Sequence, residues 1–377
     1  MKIALVVPSI GDGREIGTPA VRLLVDRLAR DVELHLFAVH HPSGHQPVVE
    51  GRFTIHPAVA ATDRFARRMA RTIREIDREH RRSQFDLIHA LWLHEAGTIA
   101  VAAGLLHRLP VVASIGGAEV VGLPDIEYGA LRTSRGRIMT ANVLQRATFV
   151  TGGSEYVLRR ARRIVPHRAP SRFRRIPLPV DARMFAPPAT RSHDGETLQV
   201  LHAASLIPVK DQATLLRAFR HVVDVIPIAR LTIAGEDPFG YRAELERLCD
   251  TLKLHTVVTF VGPLPHREMV AIYQLADLFV LSSRHESQAM VVLEAAAVGV
   301  PTVGSAVGVV PDLAPEAAIA VRPGDSVALA DAIVALLTDP VRRARMGEYA
   351  RQRVVDEFDA SIVSDAFLGL YAEAIGR

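Results

Sequence analysis

The chain has 377 residues, long enough for two domains of ordinary size. Nearly half of them are apolar but only 5% are aromatic, which suits Ala/Val/Leu-rich α/β packing better than an all-β fold. A formal charge of +4 is modest for this length and does not point to nucleic acid. The single cysteine, Cys249, excludes an internal disulfide and leaves no cysteine-built metal site.

In chain order, MKIALVVPSI lacks the basic leader and long apolar core of a signal peptide and reads as a first buried strand over 3–7. The least polar stretch, 295–311, is cut by Gly299, Pro301, Gly304 and Gly308, so no segment spans a membrane and a cytoplasmic protein is expected. Gly11, Gly13 and Gly17 sit in the loop before a helix over 20–29. They read either as a loop that approaches a ligand or as an ordinary strand-helix turn. Their spacing departs from the G-x-G-x-x-G dinucleotide fingerprint. A second strand is expected over 32–39. His40, His41, His45 and His56 follow, in a spacing that matches no metal site.

Over 64–82 the text RFARRMARTIREIDREHRR places Phe65, Met69, Ile73 and Ile76 on one helix face, with arginines on the others. Two readings compete: a solvated helix packed on a sheet, or a helix that also touches an acidic acceptor or anionic lipid at the inner face of a membrane. Strands over 85–89 and 110–115 flank a helix over 96–107, and the second runs into Gly116-Gly117-Ala118-Glu119. A helix over 136–146, a strand over 148–151 and Ser154 as an N-cap come next. The basic run over 159–175 lacks the aromatic interleaving of a nucleic-acid surface.

The polar, proline-containing segment over 186–196 reads as a linker between a first domain over 1–185 and a second over 197–355. A final helix over 356–377 is expected to pack back on the first. In the second domain, strands over 198–203, 230–234, 257–261 and 278–281 alternate with helices, as in a doubly wound sheet. Lys210, one of three lysines, lies just before a helix and near its positive end. Gly235 closes the 230–234 strand. The stretch 277–308, DLFVLSSRHESQAMVVLEAAAVGVPTVGSAVG, reads as strand, loop, helix, strand, loop, with Glu286 on the loop and Glu294 on the helix.

Glu286 and Glu294 form an E-x7-E arrangement, and with HES, LEAAAVGVPTVGSAVG and VKDQATLLRAF the text resembles retaining GT-B glycosyltransferases, family 4 (glycosyl transferases group 1). The resemblance implies an α/β, GT-B architecture of two Rossmann-like doubly wound domains facing a cleft. The implied activity moves a sugar from a UDP-, GDP- or ADP-linked donor to a hydroxyl acceptor, in cell-surface polysaccharide or glycolipid synthesis, with no further cofactor. It also implies that Glu294 accepts the ribose hydroxyls, that Glu286 contacts the transferred sugar, and that Lys210 offsets diphosphate charge. Met290, Gly235 and Ser305 fall on the donor side.

Three positions depart from the pattern. Where relatives carry an arginine five residues before Lys210, this chain has Ser205, and Arg284 is the candidate to supply the missing cation. Ala289 stands where a glycine is usual. Gly116 replaces the histidine of an H-G-x-D motif, leaving Gly117, Glu119 and the Gly116 backbone N–H to face the sugar, with Gly17 opposite. No two aspartates form D-x-D, so the leaving charge is offset by Lys210, backbone N–H groups and helix N-termini rather than a metal. A catalytically silent nucleotide-sugar-binding module and a GT-B-like epimerase are the alternatives.

Overall fold

The computed structural model describes residues 1–8, 19–40, 48–56, 64–188 and 196–376. The chain divides into two compact units, Met1–Pro179 with Ala360–Arg377, and Val180–Asp359. The loop glycines Gly11, Gly13 and Gly17, together with His41 and His45, lie outside the described residues.

The first unit is built on strands β1 (Lys2–Val7), β2 (Glu33–Ala38), β3 (Val48–Glu50), β4 (Phe53–His56), β5 (Leu87–Leu91), β6 (Val111–Ser114), β7 (Phe149–Gly152) and β8 (Phe173–Arg175). They form one sheet in the order β3-β4-β2-β1-β5-β6-β7-β8, parallel except for the β3–β4 pair. Helices α1 (Pro19–Leu28), α2 (Phe65–Ser83), α3 (Glu95–His107), α4 (Ser134–Arg146) and α5 (Glu155–Ile164) connect them. Ala4 and Val6 join one core cluster, and Ile3, Leu5 and Val7 another. Both faces of β1 are therefore covered, as a parallel sheet requires.

The second unit holds β9 (Leu198–Ala203), α6 (Gln212–Val225), β10 (Ala229–Ala234), α7 (Arg242–Thr251), β11 (Val258–Gly262), α8 (Met269–Gln274) and β12 (Leu278–Leu281). It continues with α9 (Met290–Ala297), β13 (Thr302–Ser305), α10 (Val310–Leu313), β14 (Ala318–Val321), α11 (Ser326–Leu337) and α12 (Pro340–Glu357). Its sheet runs β11-β10-β9-β12-β13-β14, with every pairing parallel. The last helix, α13 (Ala360–Ile375), belongs to the first unit. There the Tyr371 hydroxyl meets His89 Nδ1 at 2.7 Å, and His89 Nε2 meets Ser114 Oγ at 2.8 Å.

Several boundaries differ from expectation. The segment over 174–185, read as closing the first domain, is strand only to Arg175, and from Val180 on it packs with the second unit. Arg351 explains this: its guanidinium donates to the carbonyls of Ala182, Phe185 and Ala297, pinning the crossing segment to the end of α9. Most of the expected linker, 189–195, lies outside the described residues. The stripe on α2 is shorter than its spacing suggests. Ile76 is buried and Met69 and Ile73 pack on the core, whereas the Phe65 ring lies under the Arg135 guanidinium. Ser154 caps α5 as expected, accepting from the Val157 N–H.

Three histidines are buried as neutral rings. Burial pushes His56 and His89 down to about 3 and His202 down to about 4. An unfolded histidine titrates near 6.5, so on acidification the unfolded chain takes up these protons first. Their stabilising contribution is complete above about pH 6.5 and falls below it, by about 1.4 kcal/mol per pH unit for each ring down to its folded pKa. Urea unfolding followed at pH 7.5 and pH 5 should therefore give a clearly lower midpoint at pH 5. An equal or higher midpoint at pH 5 would contradict the burial of neutral rings.

Candidate functional site

In an open α/β sheet, ligands bind outside the carboxyl ends of the strands, where the strand order reverses. In the second unit that point lies between β9 and β12, because β9 has its successor β10 on one side and β12 on the other. The loop after β9 carries Ser205 and Lys210, and the loop after β12 carries Ser282 to Glu286. The two loops are tied together. The Arg284 N–H donates to the Val209 carbonyl at 2.8 Å, and Ser282 Oγ donates to the Lys210 carbonyl at 2.8 Å.

Across this seam Lys210 Nζ meets Glu286 Oε1 at 2.6 Å, and Ser283 Oγ donates to the same oxygen at 2.7 Å. Both side chains are largely buried, 23% and 12% exposed, which strengthens the pair over a surface one. An ammonium has three donors, so Lys210 retains donors for an anion while Glu286 holds it in place. Beneath them His202 is fully buried on β9. Its Nδ1 pairs with the Val280 carbonyl at 2.9 Å, which makes that nitrogen the donor, and its Nε2 has no partner among the described residues. The low pKa keeps this ring neutral at physiological pH, so Lys210 is the cation here.

Glu294 lies on α9, 9% exposed. His266 Nε2 approaches its Oε1 at 2.9 Å and the Tyr273 hydroxyl donates to its Oε2 at 2.9 Å. Tyr273 is fully buried, and burial together with the Glu294 charge raises its pKa well above the usual phenol range, so it remains a donor. Phe185 packs against both rings, with centroids 5.0 Å from His266 and 5.8 Å from Tyr273. Each carboxylate oxygen retains a second lone pair for a ligand hydroxyl. The supporting residues were missed in the sequence. His266 lies in the turn before α8 and Tyr273 on the helix, and nothing in the text linked either to Glu294.

The three departures have structural accounts. Ser205 Oγ donates to Glu236 Oε1 at 3.1 Å, so its hydroxyl is directed to a neighbouring acid. Gly235, beside it, closes β10 with its N–H on the Gly262 carbonyl at 2.9 Å. Ala289 adopts φ +69°, ψ +73° as the residue before α9, a left-handed conformation that disfavours any side chain. Met290 opens the helix, and Ser305, buried, closes β13. Gly308 lets its own loop approach the acidic one, since a Cβ there would lie 2.8 Å from the Gln288 carbonyl oxygen and 2.9 Å from Glu286 Cβ.

In the first unit, Gly116 follows β6 and Trp92 follows β5. A Cβ on Gly116 would fall 1.2 Å from Trp92 Cδ1, so the indole occupies the space that a side chain at 116 would need. Trp92 itself takes φ +71°. Glu119, expected near the sugar, is tied to backbone here. It is buried, and its carboxylate accepts the N–H groups of Leu93, Gly116 and Gly117. The Gly116 N–H, which the sequence suggested for the sugar, donates to Glu119 in this structure. The carboxylate shapes the loop because three N–H donors converge on it. Trp92 was overlooked, although its being the only tryptophan was a signal.

Two outcomes follow from this geometry. Ala289→Gly relieves a left-handed alanine, a gain of about 1–2 kcal/mol in the folded state offset in part by unfolded-chain entropy, so the denaturation midpoint should rise. An unchanged or lower midpoint would show that the turn is unstrained. Gly116→Ala must displace the indole, and because Trp92 is the only tryptophan its emission maximum should shift. A spectrum identical to the parent would mean the ring does not fill that space.

Residues 188–353 match the family model described as glycosyl transferases group 1. A GDP-mannose-dependent monoacylated alpha-(1-6)-phosphatidylinositol monomannoside mannosyltransferase from Corynebacterium glutamicum is 30% identical over 298 residues, spanning 74% of each chain. A GDP-mannose-dependent alpha-(1-6)-phosphatidylinositol monomannoside mannosyltransferase from Mycolicibacterium smegmatis is 30% identical over 312 residues, 78% of this chain and 76% of the relative. Among solved structures, sucrose-phosphate synthase from Thermosynechococcus elongatus shares the fold with a TM-score of 0.82 at 21% identity, covering 100% of both chains. Two Rossmann-like units of GT-B type and relatives of this extent make the chain a member of the glycosyl transferases group 1 family.

Proposed function

We propose that the chain is a metal-independent, retaining glycosyltransferase of the family 4 type, moving a sugar from a nucleotide-sugar donor to a hydroxyl acceptor. The observation that carries this is the Lys210–Glu286 pair, 2.6 Å apart at the strand-order reversal of the second sheet. As the glycosidic bond breaks, negative charge grows on the departing diphosphate, and the spare Lys210 donors meet it there. Arg284, on the loop tied to the Lys210 turn, supplies the second cation that Ser205 does not.

Glu286 contacts the transferred sugar and favours its cationic character in the transition state. Glu294, steadied by His266 and Tyr273, accepts the two ribose hydroxyls. Ala289, Met290, Gly235 and Ser305 line the donor side, and Gly116 and Gly117 the sugar and acceptor side. Glu286 is already held by Lys210 and Ser283, which suits a positioned charge better than a free nucleophile. In this reading a diphosphate oxygen takes the proton of the incoming hydroxyl, which enters on the face the leaving group vacates. The relatives named above are GDP-mannose-dependent, which supports GDP-mannose as the first donor to test. No helix among the described residues is long and apolar enough to cross a membrane.

The Ser205–Glu236 hydrogen bond favours a second reading, a module that binds nucleotide sugar without turning it over. Calorimetry with a panel of nucleoside diphosphates and nucleotide sugars, followed by turnover with hydroxyl acceptors and water, separates the two. One nucleotide should bind selectively, with affinity falling about tenfold or more in Glu294→Ala. Lys210→Ala should lower turnover by about a hundredfold or more, and a chelator should leave the rate unchanged. Binding without turnover would support the silent module, and no binding across the panel would sink both.

A further inference from the structure

A second cavity, of about 390 Å3, lies within the first unit, where α2, α3 and α4 begin. Phe65 and Met139 give it apolar wall, and Arg68, His94, Glu95 and Arg135 give it charge and donors. Its one lining acid is already matched. Glu95 Oε1 lies 2.6 Å from Arg68, and its Oε2 lies 3.0 Å from His40 Nε2. Arg135 is different. Its exposed guanidinium rests 4.1 Å from the centre of the Phe65 ring and makes no ion pair or hydrogen bond among the described residues. His94 Nε2 is buried with no partner among the described residues. The N-cap residues of α2 and α3, Arg64 and His94, make no side-chain cap bond, so neither helix start is served by its own cap.

We propose that this cavity binds the phosphate of the acceptor, a phosphate ester carried by a polyol or by a lipid headgroup. A guanidinium held over an aromatic ring by a cation–π contact keeps its N–H donors for phosphate oxygens, because that contact consumes none of them. Arg68 and the helix starts add positive potential, and Phe65 and Met139 suit the carbon skeleton beside the phosphate. This also accounts for a failure of the apolar stripe on α2: Phe65 leaves the stripe because it carries Arg135. The proposal takes the word acceptor from the transferase reading but uses residues of the first unit alone.

The test is a titration of the full chain with inorganic phosphate, myo-inositol 1-phosphate and myo-inositol, read by calorimetry and by emission of Trp92. That residue is two positions before His94, with its carbonyl against the first turn of α3 at Gly97. Sedimentation with phosphatidylcholine vesicles, with and without phosphatidylinositol, forms a second arm. The phosphorylated polyol should bind and its parent should not. Arg135→Gln, at an exposed position where folding is safe, should weaken binding about tenfold or more, and Arg135→Lys should recover part of it. Binding only to phosphatidylinositol vesicles, lost in Arg135→Gln, would support the pocket with a lipid headgroup as the source. Equal binding of both polyols, no binding in either arm, or binding indifferent to Arg135→Gln would overturn it. Nucleotide titrations keep the two readings apart. Nucleotide binding that collapses in Lys210→Ala while Arg135→Gln has no effect on phosphate would leave the transferase reading standing alone. Phosphate binding through Arg135 without nucleotide binding would leave only the pocket.

Discussion

A parallel sheet sends all its crossover loops to the same edge, and a strand-order reversal leaves two of those loops facing each other with no helix between them. In the second unit the reversal brings Lys210 and Glu286, 76 residues apart, to 2.6 Å. The ion pair is supported from behind by backbone: Ser282 holds the Lys210 carbonyl and the Arg284 N–H holds Val209. Charge held in this way needs no rearrangement to meet an anion. The site is therefore set by the order of the strands as much as by the residues themselves.

The substitutions at the site show how local loss is absorbed. Gly116 lacks the side chain found in the resembled motif, and Trp92 fills the vacated space from the neighbouring strand end. Glu119 gathers three backbone N–H groups, that of Gly116 among them, and stabilises the turn. Ala289 keeps the left-handed backbone of the position although it is not glycine, which indicates that the entry to α9 is dictated by packing around it. Ser205 is the exception, since its hydroxyl serves Glu236 and brings no charge.

Glu294 illustrates how a buried acid is held in place. Its two oxygens are each held by one donor, and those donors are themselves steadied by Phe185, on the segment that Arg351 pins to the end of α9. A carboxylate placed this way is oriented without being exhausted, because each oxygen accepts more than one hydrogen bond. A carboxylate fixed in this way loses less rotamer freedom in any further contact than a solvated one would.

The sequence by itself determined the α/β class, the two-unit division, most strands and helices, and the loops that carry Lys210 and Glu286. Those features rest on local periodicity, caps and turn residues, as at Leu278–Leu281 and Ser154, and local signals survive without the rest of the chain. It failed at the β3–β4 hairpin and at β14, short strands whose identity comes from the neighbours they pair with. Tertiary structure alone decided that Glu119 serves backbone, that Trp92 stands in for a side chain at 116, that Tyr273 and His266 hold Glu294, and that Phe65 carries Arg135. Each is a contact between residues separated along the chain, and it exists only once strand order has brought their elements together.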